Sequence, residues 1–273
     1  MIRIVLLLLI VGLSIFLITE PFPFGEGFVV LISCLSILWI ISLMVKDASI
    51  IDIFWGTGFV IVAWFYRTNL NLTDTRSLIY CILISIWGLR LSIHLAFRNI
   101  GKGEDYRYQE WRKQYQLNWW WVSFLRVFLL QGVLLWIISA VYVRAIAKTS
   151  STLNIADYVG ILLWLIGFTF EAIGDWQLTQ FKKNPANKGK VLQTGFWALT
   201  RHPNYFGDAL LWWGFYLFAF SNGGFLYIFS PVLMTFLLMK VSGVTLLEQK
   251  LQETKPQYAD YIKRVPAFFP KFF

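Results

Sequence analysis

The sequence predicts an all-α fold, a polytopic transmembrane helical bundle of about eight spans with seven possible, and three observations carry that prediction. Hydrophobic residues make up 58% of the 273 and charged residues only 14%, against roughly 25% charged in a soluble domain, and mean hydropathy is +0.61. Apolar runs near 4–19, 27–45, 51–66, 77–97, 121–146, 157–176, 204–220 and 225–243 each approach the roughly 20 residues a helix needs to cross a hydrocarbon core. Basic residues gather between these runs. Because the non-apolar stretches reach only about 25 to 30 residues, no separate soluble domain fits, and residues 1–273 read as a single membrane-embedded domain.

Taken in order, Met1 to Arg3 and the apolar residues after them resemble a secretory signal, but no small-x-small cleavage site follows, so the first run reads as a retained span. Cys34 and Cys81 lie inside apolar runs at no metal or disulfide spacing and read as packing residues; no metal site is expected. The third run is interrupted by Asp52, Trp55 and Gly56, so a broken or re-entrant helix would serve as well as a span. Within residues 105–120, Tyr108, Trp111, Tyr115 and Trp119 recur at helical steps beside Arg107, Arg112 and Lys113, the pattern of an interfacial helix with an anchoring aromatic belt.

The net charge of +9 encodes orientation. With the N-terminus inside, 17 basic residues face the cytoplasm and four, Arg67, Arg76, Arg144 and Lys148, face out; Arg90, Arg126 and Lys240 lie within spans. Both termini are therefore expected to be cytoplasmic, and nucleic acid is not an expected partner. Ionisable groups inside spans are costly and mark function. Asp52, Arg90, Glu171, Asp175, Asp208 and Glu248 all fall toward the cytoplasmic side on this topology, which suits an enzyme with a cavity open to the cytoplasm better than a transporter. The structural alternative is a set of ion pairs such as Arg90 with Asp52.

The stretch TGFWALTRHPNYFGD, Thr194 to Asp208, is the most informative. Pro203 suits the first turn of a helix, since its fixed φ is already helical and its missing N–H is not needed there, so a helix is expected from about His202. Arg201, Asn204, Tyr205 and Asp208 then fall at i, i+3, i+4 and i+7 on one stripe beside the positive end of the helix dipole, suited to an anionic group. Before it, DWQLTQFKKNPANKGKVLQTG carries Lys182, Lys183, Lys188 and Lys190, positive-inside residues that double as candidates for dinucleotide phosphates. No Gly-rich dinucleotide fingerprint, Walker loop, zinc motif or Gly-x-Ser-x-Gly elbow is present.

Asp175 through FKKNP to TRHPNYFGD, with the tail YADYIKRVPAFFPKFF, resembles the steroid 5-alpha-reductase and sterol-reductase superfamily. DIFWG at Asp52, GLR ending at Arg90 and RNIGKGEDYRY from Arg98 resemble its bacterial DUF1295 branch, and the likeness covers nearly the whole chain. It implies a multi-pass protein of the bacterial inner membrane that binds NADPH on the cytoplasmic side and reduces an activated carbon–carbon double bond of a steroid-like or other lipid taken from the bilayer, with membrane lipids as neighbours. Carried over position by position, the implied cofactor-binding set is Arg90, Lys102, Glu171, Asp175, Lys182, Arg201, His202, Asn204, Tyr205, Asp208 and Glu248. Asp52 is the candidate acid near the charge that develops on hydride transfer. The glutamate and tyrosine with which steroid reductases hold a ketone have no clear counterpart. A second resemblance, carried by Arg-His-Pro-x-Tyr-x-Gly, a later glutamate and a Val-Pro tail, is to S-adenosylmethionine-dependent membrane methyltransferases of the isoprenylcysteine carboxyl type. A lipid-binding scaffold without chemistry is a third reading, which the intact cationic and carboxylate positions disfavour.

Overall fold

The computed structural model describes residues 2–147, 152–241, 244–255 and 257–271. Met1, Lys148, residues 242–243 of the eighth apolar run and Phe272 and Phe273 of the tail lie outside the described residues, as do the side chains of Arg3 and Lys250. The described residues are mostly helical, with no strand among them. They cluster into two compact units, Met1–Thr152 and Leu153–Phe273.

Unit 1 contains α1 (Ile2–Thr19), α2 (Phe24–Val45), α3 (Ile50–Asn69), α4 (Thr75–Asn99) and α5 (Tyr106–Tyr115), then α6 (Trp119–Ser123), a π-helical stretch Phe124–Leu129 and α7 (Leu130–Ala147). The third apolar run is one continuous helix. Its glycine is a packing notch: a Cβ on Gly56 would stand 2.0 Å from the Gly88 carbonyl oxygen, so α3 and α4 meet backbone to backbone. Ser92 Oγ next to this crossing accepts from the Thr57 amide at 2.9 Å. Asp74 caps α4 by accepting from the Ser77 amide at 2.8 Å.

The four aromatics at helical steps on α5 and α6 point inward more than an anchoring belt requires, while Tyr106, Trp120 and Trp121 are exposed. Tyr108 and Trp119 are buried against Leu35, Ile51 and Phe128, with Trp111 and Tyr115 packed onto the same cluster. The physical reason lies in the loops beneath. Glu104 accepts from the Ala48 amide at 2.8 Å and from both sides of the Arg112 guanidinium at 2.8 Å, tying this helix down onto the α2–α3 corner.

Unit 2 contains α8 (Ile155–Lys183), α9 (Phe196–Leu199), α10 (Pro203–Phe220), α11 (Phe229–Phe236) with a π-helical continuation Leu237–Val241, α12 (Val244–Thr254) and α13 (Tyr258–Arg264). A capping box starts α8: Asn154 accepts from the Asp157 amide at 3.1 Å and Asp157 from the Asn154 amide at 2.9 Å. α10 opens at Pro203 with His202 as its cap residue, the expected start. α8 and α10 run antiparallel through three close approaches, Gly160 to Gly214, Gly167 to Gly207, and Gly174 to Pro203 and Asn204.

Over the described residues, each of the eight apolar runs falls on helix. Five helical segments are long and apolar enough to cross a membrane: Phe24–Val45, Ile50–Asn69, Thr75–Asn99, Tyr106–Ala147 and Ile155–Lys183. Leu6–Thr19 and Phe225–Val241 are shorter apolar helices. α10 is in neither group, since Pro203, Asn204 and Asp208 dilute its first turns.

Candidate functional site

The polar residues of unit 2 collect where the end of α8 meets the start of α10. Glu171 and Asp175 are one turn apart on α8 and buried, at 3% and 8% exposure. The glycines flanking them bring the α10 backbone close: a Cβ on Gly207 would stand 2.4 Å from the Glu171 amide nitrogen, and one on Gly174 3.2 Å from the Asn204 nitrogen. Asn204 donates through Nδ2 to Asp175 Oδ1 at 3.0 Å. Its Oδ1 is buried and accepts no hydrogen bond among the described residues. An amide with one N–H held by a neighbour and its acceptor open can take an N–H from a ligand, and leaving that acceptor empty is costly. Trp197 locks the same corner by donating from its indole nitrogen to the Gly174 carbonyl at 3.0 Å.

A second cluster lies beside it. Arg201 donates from Nε to Glu248 Oε1 at 2.8 Å and from a terminal nitrogen to Oε2 at 3.1 Å, and its other terminal nitrogen serves the carbonyls of Val265 at 2.5 Å and Ile262 at 3.2 Å. His202 Nε2 lies 3.1 Å from Glu248 Oε1, and the Tyr205 ring stacks on the imidazole with centroids 5.6 Å apart. Burial pushes the Glu248 carboxyl up, but hydrogen bonds from His202 and Arg201 and the guanidinium charge outweigh it and hold the group at about 2. The Tyr258 hydroxyl, 3.5 Å from the same carboxylate, is pushed up to about 12 by burial and then by that negative charge. The tail is fastened by main chain as well: the Arg201 amide donates to Pro266, the Lys271 amide to Leu199, each at 2.9 Å.

The expected stripe of four is therefore divided. Arg201 precedes the first helical residue, so its side chain leaves the helix surface for Glu248 and the tail, while Asn204 faces α8. Asp208 follows Asn204 by one turn and is half-buried. Lys182 is exposed near the end of α8, which continues to Lys183 past the end of the apolar run.

In unit 1, Arg90 is half-buried on α4, two residues past Gly88, and Lys102 is exposed and donates to the Arg98 carbonyl. Asp52 pairs with residues at the start of α5 rather than with Arg90. It accepts from Arg107 at 3.2 Å and from the Tyr108 hydroxyl at 2.8 Å. Tyr108 in turn accepts from Gln131 Nε2 at 3.2 Å, and Gln131 Oε1 accepts from the Trp55 indole at 2.5 Å. Gln131 carries no local motif that sequence reasoning could have used, and the motifs that contain Tyr108, Tyr258 and the tail carbonyls do not tell which partners they meet.

A family model described as a protein of unknown function (DUF1295) matches residues 38–265. The chain is similar to an uncharacterized protein of the yeast Schizosaccharomyces pombe, 25% identical over 279 aligned residues that take in 91% of this chain and 80% of the relative. It is also similar to the probable O-methyltransferase ustE of Ustilaginoidea virens, 38% identical over 68 residues, 25% of this chain and 23% of that protein. No solved structure matches.

Proposed function

Since the chain belongs to the DUF1295 family, we propose, from the resemblances in its sequence and the geometry of unit 2, that it is a membrane oxidoreductase. On this reading it uses NADPH to reduce an activated double bond of a lipid-like substrate drawn from the bilayer. It has about eight spans in a bacterial inner membrane, with both termini and the lysine loop in the cytoplasm. The observation that carries the reading is the divided amide of Asn204, held by Asp175 through Nδ2 with Oδ1 left as an acceptor.

The residues present fit the cofactor. Asn204 Oδ1 would accept from an amide such as the carboxamide of nicotinamide, and the Glu171 and Asp175 carboxylates would accept ribose hydroxyls. Lys182, with Lys183 beside it, would meet phosphates at the exposed end of α8. When bound, NADPH supplies a hydride. Arg201, Glu248 and His202 hold one another, so their part is to fix the start of α10 and present Asn204 at a constant position.

A methyltransferase using S-adenosylmethionine is the second reading. The partial likeness to an O-methyltransferase favours it, as does the joining of Arg201, His202 and Glu248 into one cluster. Titration of the purified protein with each cofactor separates the two. Asn204→Ala is expected to stay folded and bind NADPH about 5- to 150-fold more weakly, roughly 1 to 3 kcal/mol, and Lys182→Ala to weaken NADPH further at low salt than at high. Saturable binding of S-adenosylmethionine without NADPH binding would replace reduction by methyl transfer.

Topology has its own test. In a background lacking Cys34 and Cys81, single cysteines at Lys188 and Phe225, both exposed, are expected to label from opposite sides of the membrane. Labelling from one side for both positions would overturn the orientation.

A further inference from the structure

Arg126 lies in the π-helical stretch Phe124–Leu129, within an apolar helix long enough to cross a membrane, and its side chain is exposed. The other arginines of this region are balanced by carboxylates, Arg107 by Asp52 and Asp105, and Arg112 by Glu104. Arg126 makes no ion pair among the described residues. Its one hydrogen bond goes to the Tyr115 hydroxyl, with the guanidinium 5.2 Å from the centroid of that ring. Four of its five N–H donors are left without a protein acceptor. The residues about a turn before and after it and next to it are exposed and apolar: Trp121 at 43%, Leu130 at 43% and Leu125 at 47%.

A cation on an apolar, bilayer-facing surface is costly without a counter-ion. The anion that a bilayer offers at that surface is the phosphodiester of a lipid headgroup, and the planar fork of a guanidinium matches two phosphate oxygens. Tyr115 belongs to the helix read as interfacial, so its ring and hydroxyl hold the guanidinium toward headgroup level. The π-helical geometry, frequent at functional sites, is a second departure from an ordinary span at the same residue. We propose that Arg126, oriented by Tyr115, anchors a phospholipid site, with the lipid phosphodiester on the guanidinium and its acyl chains against Trp121, Leu125 and Leu130. The proposal is independent of the oxidoreductase reading.

The test uses the full chain in detergent and native mass spectrometry, titrating phosphatidylglycerol, phosphatidylcholine and a diacylglycerol of the same acyl chains. The parent is expected to retain the two phospholipids in preference to the diacylglycerol. Arg126→Gln should weaken both phospholipid adducts by about tenfold and leave the diacylglycerol unchanged, Arg126→Lys should fall between, and Lys113→Gln, at an exposed surface pair, should change nothing. Should Arg126→Gln fail to fold, Tyr115→Phe, which keeps the charge and removes the hydroxyl, is expected to weaken the adducts about two- to threefold. Unchanged phospholipid retention in Arg126→Gln, or in Tyr115→Phe where that variant has to replace it, would overturn the site. Displacement of the lipids by millimolar inorganic phosphate would overturn its assignment to a lipid.

Discussion

Gly207→Ala is expected to destabilise unit 2 more than any other single methyl group added to its α8–α10 seam. The new Cβ would stand 2.3 Å from the Gly167 carbonyl oxygen and 2.4 Å from the Glu171 nitrogen, both main chain, so relief requires the two helices to separate. Overpacking a core usually costs about 1 to 3 kcal/mol where side chains can yield; here the loss should reach or exceed the top of that range. Separation would also stretch the Asn204–Asp175 hydrogen bond. The measurement is a thermal melt in detergent for the parent, Gly207→Ala and Gly12→Ala, the last having nothing within 4 Å of its added Cβ. Equal melting temperatures for the two variants would contradict the packing described.

Arg201→Ala should have an effect of similar size for a different reason. The guanidinium and the Glu248 carboxylate are 8% and 15% exposed, and removing one partner of a buried pair typically costs about 3 to 5 kcal/mol because the other charge is stranded. The carbonyls of Ile262 and Val265 lose their donor too, so the tail should become protease-sensitive before the rest of the unit. The pH dependence has a fixed sign. The Glu248 carboxyl titrates at about 2 when folded, below its ordinary 4.5, so its contribution to stability is complete above about pH 4.5 and is lost as pH falls toward 2. Glu248→Gln should flatten the stability profile across that window. A profile as steep as the parent's would mean that other carboxylates carry the acid sensitivity.

The sequence made some of this legible. Apolar runs located the five helical segments long and apolar enough to cross a membrane, because lipid and core both require an unbroken hydrophobic surface, and Pro203 marked the start of α10 to within a residue. Other features depended on partners far along the chain. The Arg201 contacts lie 47 to 64 residues away, and the Asp52 phenol partner 56, distances at which no local pattern reports pairing. α8 runs past the apolar stretch that ends near residue 176, since an apolar run measures bilayer contact while the helix continues through polar residues to Lys183. Gly56 read as a possible break because a glycine weakens an isolated helix; only the facing Gly88 makes it a contact.

The glycines of unit 2 recur every seven residues, at 160, 167 and 174 on α8 and at 207 and 214 on α10. They form a ladder with one more rung on one side than on the other. Such a ladder sets how near two helices come but not which rungs face each other: sliding α10 by one repeat, about 10.5 Å, would again bring glycine to glycine. The choice between these alignments falls to features that do not repeat. The Trp197 indole on the Gly174 carbonyl, the Phe196 amide on Gln177 at 3.1 Å and the Asn204 amide on Asp175 are satisfied together only in the observed alignment. The same polar residues that read as a binding site thus act as the index mark of the helix pair, and their removal should show in alignment as well as in affinity.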